Sequence, residues 1–252
     1  MNANATLNTT LPPAVLRGSL PSLEGIQSLE LFSGYGAHCR IIGRSSYAGL
    51  PTAEILQANF EPEARRGSLG VGTARIFSCL GQDRLPLMHL ESLSLREFTE
   101  DMYLDAHTFA QVLGSLPSIT SLALVECSKR LAEALVVTPT SHVCPRLQEL
   151  RLHDSKILDE TLVELVRSRT TSPTSRSVSR SNSSAGPSYG GSSQSQGESR
   201  GALRILKLAR CGFVDQASVT QMRAILAVEW DGLGLVRSAL PPSSDAVLPE
   251  LV

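Results

Sequence analysis

The sequence predicts an α/β fold of stacked strand–helix units forming a partial horseshoe. Three observations predict it. An apolar phrase, L-x-x-L-x-L-x-x-(C), stands at Leu90/Leu93/Leu95, Ile119/Leu122/Leu124/Cys127, Leu147/Leu150/Leu152 and Leu203/Leu206/Leu208/Cys211, with a weaker copy at Ile26/Leu29/Leu31. The spacing is regular: Leu93 to Leu122 is 29 residues and Leu122 to Leu150 is 28, room for a strand, a turn, a helix and a return. Finally, 42% of the 252 residues are hydrophobic but only 4% aromatic, so the core has to be aliphatic and laid out in layers.

In chain order, residues 1–18 are polar, lack the charged-then-apolar order of a signal peptide, and read as a flexible N-terminus. The triplets Asn4-Ala5-Thr6 and Asn8-Thr9-Thr10 match the glycosylation pattern, which stays idle without secretion. Repeats are expected over 19–167. Over 32–84 they are degenerate or interrupted by a long insertion, since 62 residues separate Leu31 from Leu93 without a clean strand phrase. Within that stretch, Thr52–Phe60 and Thr73–Leu80 read as helices and Glu61–Gly72 as a surface loop.

The later units show their helical halves. Leu104, Phe109, Val112, Leu113 and Leu116 follow the strand at Leu93 with helical spacing, and Asp105 stands at the N-cap. Leu158, Leu162, Leu165 and Val166 follow the strand at Leu150, with Asp159 and Glu160 at the positive helix start. Val214, Val219, Met222, Ile225 and Leu226 follow the strand at Leu206, with Asp215 in the N-cap slot.

Residues 168–200 are rich in serine, glycine and arginine and nearly devoid of aliphatic side chains. Such a segment cannot offset its ordering entropy, so a disordered loop within the repeat stack is expected. A final repeat and capping strand fill 201–231, with Trp230 covering the open end, and 232–252 form a loose tail.

The recurrent phrase is the strand signature of a leucine-rich repeat, here of ribonuclease-inhibitor-like layout. The run Cys144-Pro145-Arg146-Leu147-Gln148-Glu149-Leu150-Arg151-Leu152, then Leu158-Asp159-Glu160, Leu203-Arg204-Ile205-Leu206-Lys207-Leu208 and Cys211-Gly212, resembles the C-terminal region of fungal F-box/leucine-rich-repeat proteins. The similarity covers roughly Leu85 to Asp231. It implies a module that selects a protein substrate for an SCF-type, cullin-based ubiquitin ligase. The F-box itself is not found in this chain, and a Skp-type adaptor is implied as a partner only where an F-box lies upstream. The alternative is a stand-alone scaffold or regulatory repeat protein with no ligase role.

Chemistry is expected to be absent. The five histidines show no metal-ligand spacing, so no metal or cofactor is expected. Gly67–Thr73 superficially looks like a phosphate loop but lacks its lysine. No G-x-S-x-G elbow or Ser/His/Asp set points to an enzyme. The five cysteines contain no C-x-x-C pair and read as reduced packing thiols, with Cys127 and Cys211 in one repeat slot. A formal charge of −1 and the lack of a long apolar run speak against nucleic-acid and membrane partners, which places the chain in the cytoplasm or nucleus.

The residues alternating with the strand leucines define one surface, the concave face: Ser28/Glu30/Phe32, Ser92/Ser94/Arg96, Ser121/Ala123/Val125, Glu149/Arg151/His153 and Ile205/Lys207/Ala209. It reads either as a partner-binding face oriented by Arg96, Glu149, Arg151, His153 and Lys207, or as an ordinary solvated sheet face. In the serine-rich loop, Arg169, Arg176 and Arg180 each precede a serine by three, making Ser172, Ser179 and Ser183 candidate phosphorylation sites; low-complexity composition also yields such triplets by chance.

Overall fold

The computed structural model describes residues 24–34, 39–45, 52–60, 77–78, 80, 87–99, 104–139, 141–170 and 202–233. Twelve elements lie in these spans. They are β1 (Ser28–Ser33), β2 (Cys39–Ser45), β3 (Ala53–Phe60), β4 (Ser92–Arg96), α1 (Ala106–Gly114), β5 (Ser121–Val125), α2 (Lys129–Glu133), β6 (Glu149–His153), α3 (Asp159–Thr170), β7 (Ile205–Ala209), α4 (Gln216–Arg223) and β8 (Ala227–Trp230).

The eight strands form one open sheet in the order β3-β2-β1-β4-β5-β6-β7-β8. From β1 through β8 on the repeat side every pairing is parallel, whereas β2 and β3 are antiparallel additions at the N-terminal edge. The register carries the leucine phrase straight across the sheet. Leu29 pairs Leu93, Leu93 pairs Leu122, Leu122 pairs Leu150 and Leu150 pairs Leu206, with Leu31, Leu95, Leu124, Leu152 and Leu208 forming a second row. All ten are at most 2% exposed and join one hydrophobic core with residues of the helices. Burying a leucine fully is worth about 1.5–3 kcal/mol, so these two rows are the main force aligning the units.

Two recurrent backbone devices hold the register. At each strand entrance one carbonyl accepts two N–H groups of the next unit: Gln27 O from Glu91 and Ser92, Glu91 O from Thr120 and Ser121, Thr120 O from Gln148 and Glu149, Gln148 O from Arg204 and Ile205. At the exits of β4, β5, β6 and β7 stands a left-handed, non-glycine residue: Glu97 (φ 60°), Glu126 (54°), Asp154 (51°) and Arg210 (54°). That conformation costs roughly 1–2 kcal/mol per residue. It turns the N–H of each toward the next strand, where Glu97 N donates to Val125 O at 2.9 Å, Glu126 N to His153 O at 2.8 Å and Asp154 N to Ala209 O at 3.0 Å. Arg210 differs: its N–H donates to the side chain of the residue that follows β8, Asp231 Oδ2, at 2.8 Å. A side-chain carboxylate thus takes the place that a backbone carbonyl holds in the three preceding turns.

The expected caps form. Asp105 accepts from Thr108 N at 2.8 Å, and Asp215 accepts from Ser218 N at 2.7 Å. Cys127 and Cys211 are buried in equivalent positions, their thiols directed at Leu95 O and Leu152 O of the preceding units. Phe77, in the short helical stretch, stacks on Phe109 at 5.8 Å and meets Phe98 edge-on at 6.2 Å.

Several expectations need correction. Thr52–Phe60 is no helix: Ala53–Phe60 is an edge strand paired antiparallel with β2. Its alanine, glutamate, leucine and glutamine favour a helix in isolation, but Leu56 and Ala58 lie opposite Gly43 and Ile41 and pack on the core, and tertiary pairing overrides propensity. Gly43 is needed there, since a Cβ would come within 2.9 Å of Ile26 Cδ1 and 3.0 Å of Leu56 Cβ. The degenerate stretch is therefore in part an antiparallel β1-β2-β3 meander rather than a repeat. Helix α3 runs to Thr170, so the boundary drawn at Ser168 is too early. Leu158 and Ile225, placed in apolar helical patterns, are 45% and 41% exposed and lie outside α3 and α4. The Glu61–Gly72 loop, the polar 1–18 segment, nearly all of the serine-rich loop and the tail beyond Leu233 fall outside the described residues.

The helix-free face of the sheet

Because side chains alternate along a strand, the residues between the leucines emerge on the opposite side of the sheet from the helices. The same register that stacks the leucines lines these residues into rows. One runs Ser28, Ser92, Ser121, Glu149, Ile205, Ala227; the next Glu30, Ser94, Ala123, Arg151, Lys207, Glu229; the third Phe32, Arg96, Val125, His153, Ala209. All five predicted face residues, Arg96, Glu149, Arg151, His153 and Lys207, therefore share one surface.

The middle of this surface is a floor of half-buried small side chains on β4 and β5, Ser92, Ser94, Ser121 and Ala123. Ion pairs stand on both sides. Toward the N-terminus, Glu30 bridges Arg44 at 3.1 Å and Arg96 at 3.3 Å. Toward the C-terminus, Glu149 accepts from Arg151 Nε at 2.7 Å and lies 3.4 Å from Lys207 Nζ, which also reaches Glu229 at 3.3 Å. The Arg151 hydrogen bond, with Lys207 adding to it, holds the Glu149 carboxyl below its ordinary range. At the strand exits Asp154 sits between Arg210 Nε and His153 Nδ1, each at 3.1 Å. The His153 contact is close but not aligned as a hydrogen bond, so it is a weak orienting interaction. Exposed pairs of this kind contribute little to stability. Their effect is to fix alternating charges in position along the face.

A shallow depression of about 640 Å³ lies on this face, with Arg96, Ala123, Arg151, His153, Lys207 and Trp230 among its lining. A second, of about 630 Å³, lies on the helix side between α3 and α4, bordered by Asp159, Glu160, Glu164 and Arg167. Neither is enclosed by titratable groups converging on one point. Among the described residues no three His, Cys, Asp or Glu side chains are placed to hold a metal ion, and no helix is long and apolar enough to cross a membrane.

The four described thiols are poor nucleophiles. Burial pushes Cys39, Cys127 and Cys144 up to about 12 and Cys211 to about 11, which keeps them protonated at neutral pH. Ser172, Ser179 and Ser183 lie outside the described residues, but the arginine three before Ser172 does not. Arg169 is 9% exposed and donates to Leu135 O and Val143 O, both at 2.8 Å, and to Cys144 O at 3.3 Å. Sequence reading missed this residue because composition assigned it to the loop. The helical run Leu162, Leu165, Val166 continues in phase to Arg169, and that phase was the available signal. The Glu30–Arg44 pair was missed as well, because it depends on β2 doubling back beside β1.

Neither a protein-family model nor a curated protein matches the chain.

Proposed function

We propose that the chain is a protein-binding module of stacked leucine-rich repeats, and that the helix-free face receives the partner. One observation carries this reading: strands from six units present their non-leucine residues in strict register on a face that no described element covers, with a small-residue floor between two sets of fixed ion pairs. A horseshoe curvature is in keeping with the layout. Helices need about 8–10 Å between axes and strands about 4.8 Å, so a stack with helices on one side only bends toward its strands. Carboxylates and cations alternate on this face, so recognition would rest on shape and charge position more than on long-range attraction.

By its resemblance, the module would hold a protein substrate for an SCF-type ubiquitin ligase, acting through proximity while other subunits carry out transfer. The alternative is a scaffold or regulatory repeat protein outside any ligase. Affinity capture with the wild-type chain, with Ala123→Arg on the floor and with Glu164→Arg on the helix side tests the binding face. Proteins retained by wild type and Glu164→Arg but lost with Ala123→Arg are the expected outcome, and identical capture by all three refutes the reading. Co-purification of a Skp-type adaptor with the complete gene product separates ligase from scaffold.

A further inference from the structure

The ion pairs on the helix-free face are unequal in exposure. Glu30 and Glu149 are recessed, each 20% exposed, whereas the side chains of Arg96 and Arg151 are 48% and 54% exposed. Above the floor of small residues, a partner therefore meets guanidinium before it meets carboxylate. The hydrogen bonds fix which part of each guanidinium is left to it. Arginine carries five N–H donors in a planar fork, and a carboxylate takes two of them at once, either Nε with Nη2 or the two Nη together. Arg151 is held to Glu149 through Nε alone, at 2.7 Å, and its Nη1–Nη2 edge has no acceptor among the described residues. Arg96 is held to Glu30 through Nη1 alone, at 3.3 Å, and its Nε–Nη2 edge has none there either. Glu30 also accepts from both terminal nitrogens of Arg44, each at 3.1 Å, so Arg96 is the more loosely tied of its two cations.

Strand register sets the distance between these two donor edges. Arg96 lies opposite Val125 and Val125 opposite His153, two residues beyond Arg151. The arginines therefore stand about 10 Å apart across the strands and about 7 Å apart along them. Between them β5 presents Ala123 and Val125, which carry no polar group to compete for either edge. Both arginines border the depression of about 640 Å³. Its own carboxylates lie at the β8 end and are engaged. Glu229 meets Lys207 at 3.3 Å, and Asp231 accepts from the backbone N–H groups of Arg210 and Leu233.

We propose, taking the helix-free face as the binding face, that the segment it receives is acidic and sets one carboxylate on the open edge of Arg96 and another on that of Arg151. Its backbone then crosses the floor at Ala123, where small side chains allow close approach. Net charge plays little part, because Arg151 and Lys207 are balanced by Glu149 and Glu229. Discrimination comes from geometry at short range. A carboxylate on either edge makes two charge-assisted hydrogen bonds, an amide side chain offers a single uncharged oxygen, and a lysine or arginine is repelled.

The test uses the full chain and a random-peptide library displayed on phage as the probe. Peptides retained by the wild-type chain are synthesised and titrated by fluorescence anisotropy against wild type, Ala123→Arg, Arg96→Lys and Arg151→Lys. Lysine keeps the charge but not the two-donor edge, and exposed pairs contribute little to stability, so the lysine variants stay folded. The expected peptides carry at least two Asp or Glu residues and lose binding with Ala123→Arg. Each lysine variant should bind them at least about tenfold more weakly. Peptides that lose binding with Ala123→Arg but lack an acidic pair, or that bind both lysine variants as tightly as wild type, overturn the acidic assignment and leave the binding face standing. Peptides indifferent to Ala123→Arg overturn both. If no peptide is retained, a linear acidic segment is not the ligand and the assignment falls. Self-association of the wild-type chain that Ala123→Arg abolishes overturns it in favour of a second copy on this face.

Discussion

Replacing Arg169 by methionine asks what a buried guanidinium contributes when its hydrogen bonds all go to carbonyls. Its side chain ties the last turn of α3 to the connection between α2 and β6, and burial lowers its pKa from the usual arginine value. The neighbouring Ser168 Oγ accepts from Val137 N at 3.0 Å in the same junction. Two bonds of 2.8 Å from a charged donor are worth about 1.5–3 kcal/mol each, and the 3.3 Å bond to Cys144 O adds less. Against this stands the cost of burying a guanidinium, several kcal/mol, which methionine does not incur. The net loss for Arg169→Met is therefore about 2 kcal/mol. Lysine keeps the charge but presents a point donor instead of a fork, so Arg169→Lys is expected to cost more, about 3–5 kcal/mol. Urea unfolding followed by Trp230 fluorescence measures both, and amide exchange at Val137 reports whether the damage starts at this junction. If Arg169→Met is as stable as wild type, or Arg169→Lys is the milder change, the clamp makes no net contribution and the reasoning is wrong.

Three further outcomes follow from the fold. Leu122→Ala, in the middle of the stack, should destabilise by about 3–5 kcal/mol, whereas Val228→Ala at the half-covered end should cost about 1 kcal/mol; equal losses would contradict the layered core. The Thr108 backbone hydrogen bond is the largest influence lowering Asp105 from its ordinary 3.8, so its capping contribution is complete above that value and fades as pH falls through the depressed folded pKa. Acid unfolding of Asp105→Asn should lack that component, and Asp105→Ala should lose about 1 kcal/mol at neutral pH. Finally, iodoacetamide at pH 8 should leave Cys39, Cys127, Cys144 and Cys211 unmodified in the native chain and label all four in urea; native labelling of any of them would refute its burial.

The repeat half of the fold was legible because its forces are local and periodic. A leucine every second residue within a strand, and the same phrase 28 or 29 residues on, state both the buried face and the pairing partner, and register then follows. Asp105 and Asp215 were legible as caps because a cap depends on the three residues that follow it. The face residues could be named for the same reason, being the complement of the leucines. The N-terminal stretch was not legible. The partner of β3 is β2, set by Gly43 admitting close approach and by Ile41 lying opposite Ala58, and no short window contains both strands. Helix α2 was also missed, since five residues are too few to show a period.

Periodic spacing alone was enough to name the leucines buried in the strands, the starts of α1, α3 and α4, and the side chains that share the open face, because burial at fixed spacing needs no knowledge of distant partners. Only the tertiary structure decided that Glu30 joins Arg44 and Arg96, that Arg169 belongs to the core, that left-handed residues end four strands without a glycine, and that Asp231 completes the last of them. Each of these depends on the distance between groups far apart in the chain, or on a backbone group whose partner lies in another unit. Hydrogen bonds and ion pairs act only over a few ångströms, so their partners exist only after the hydrophobic rows have brought the strands together.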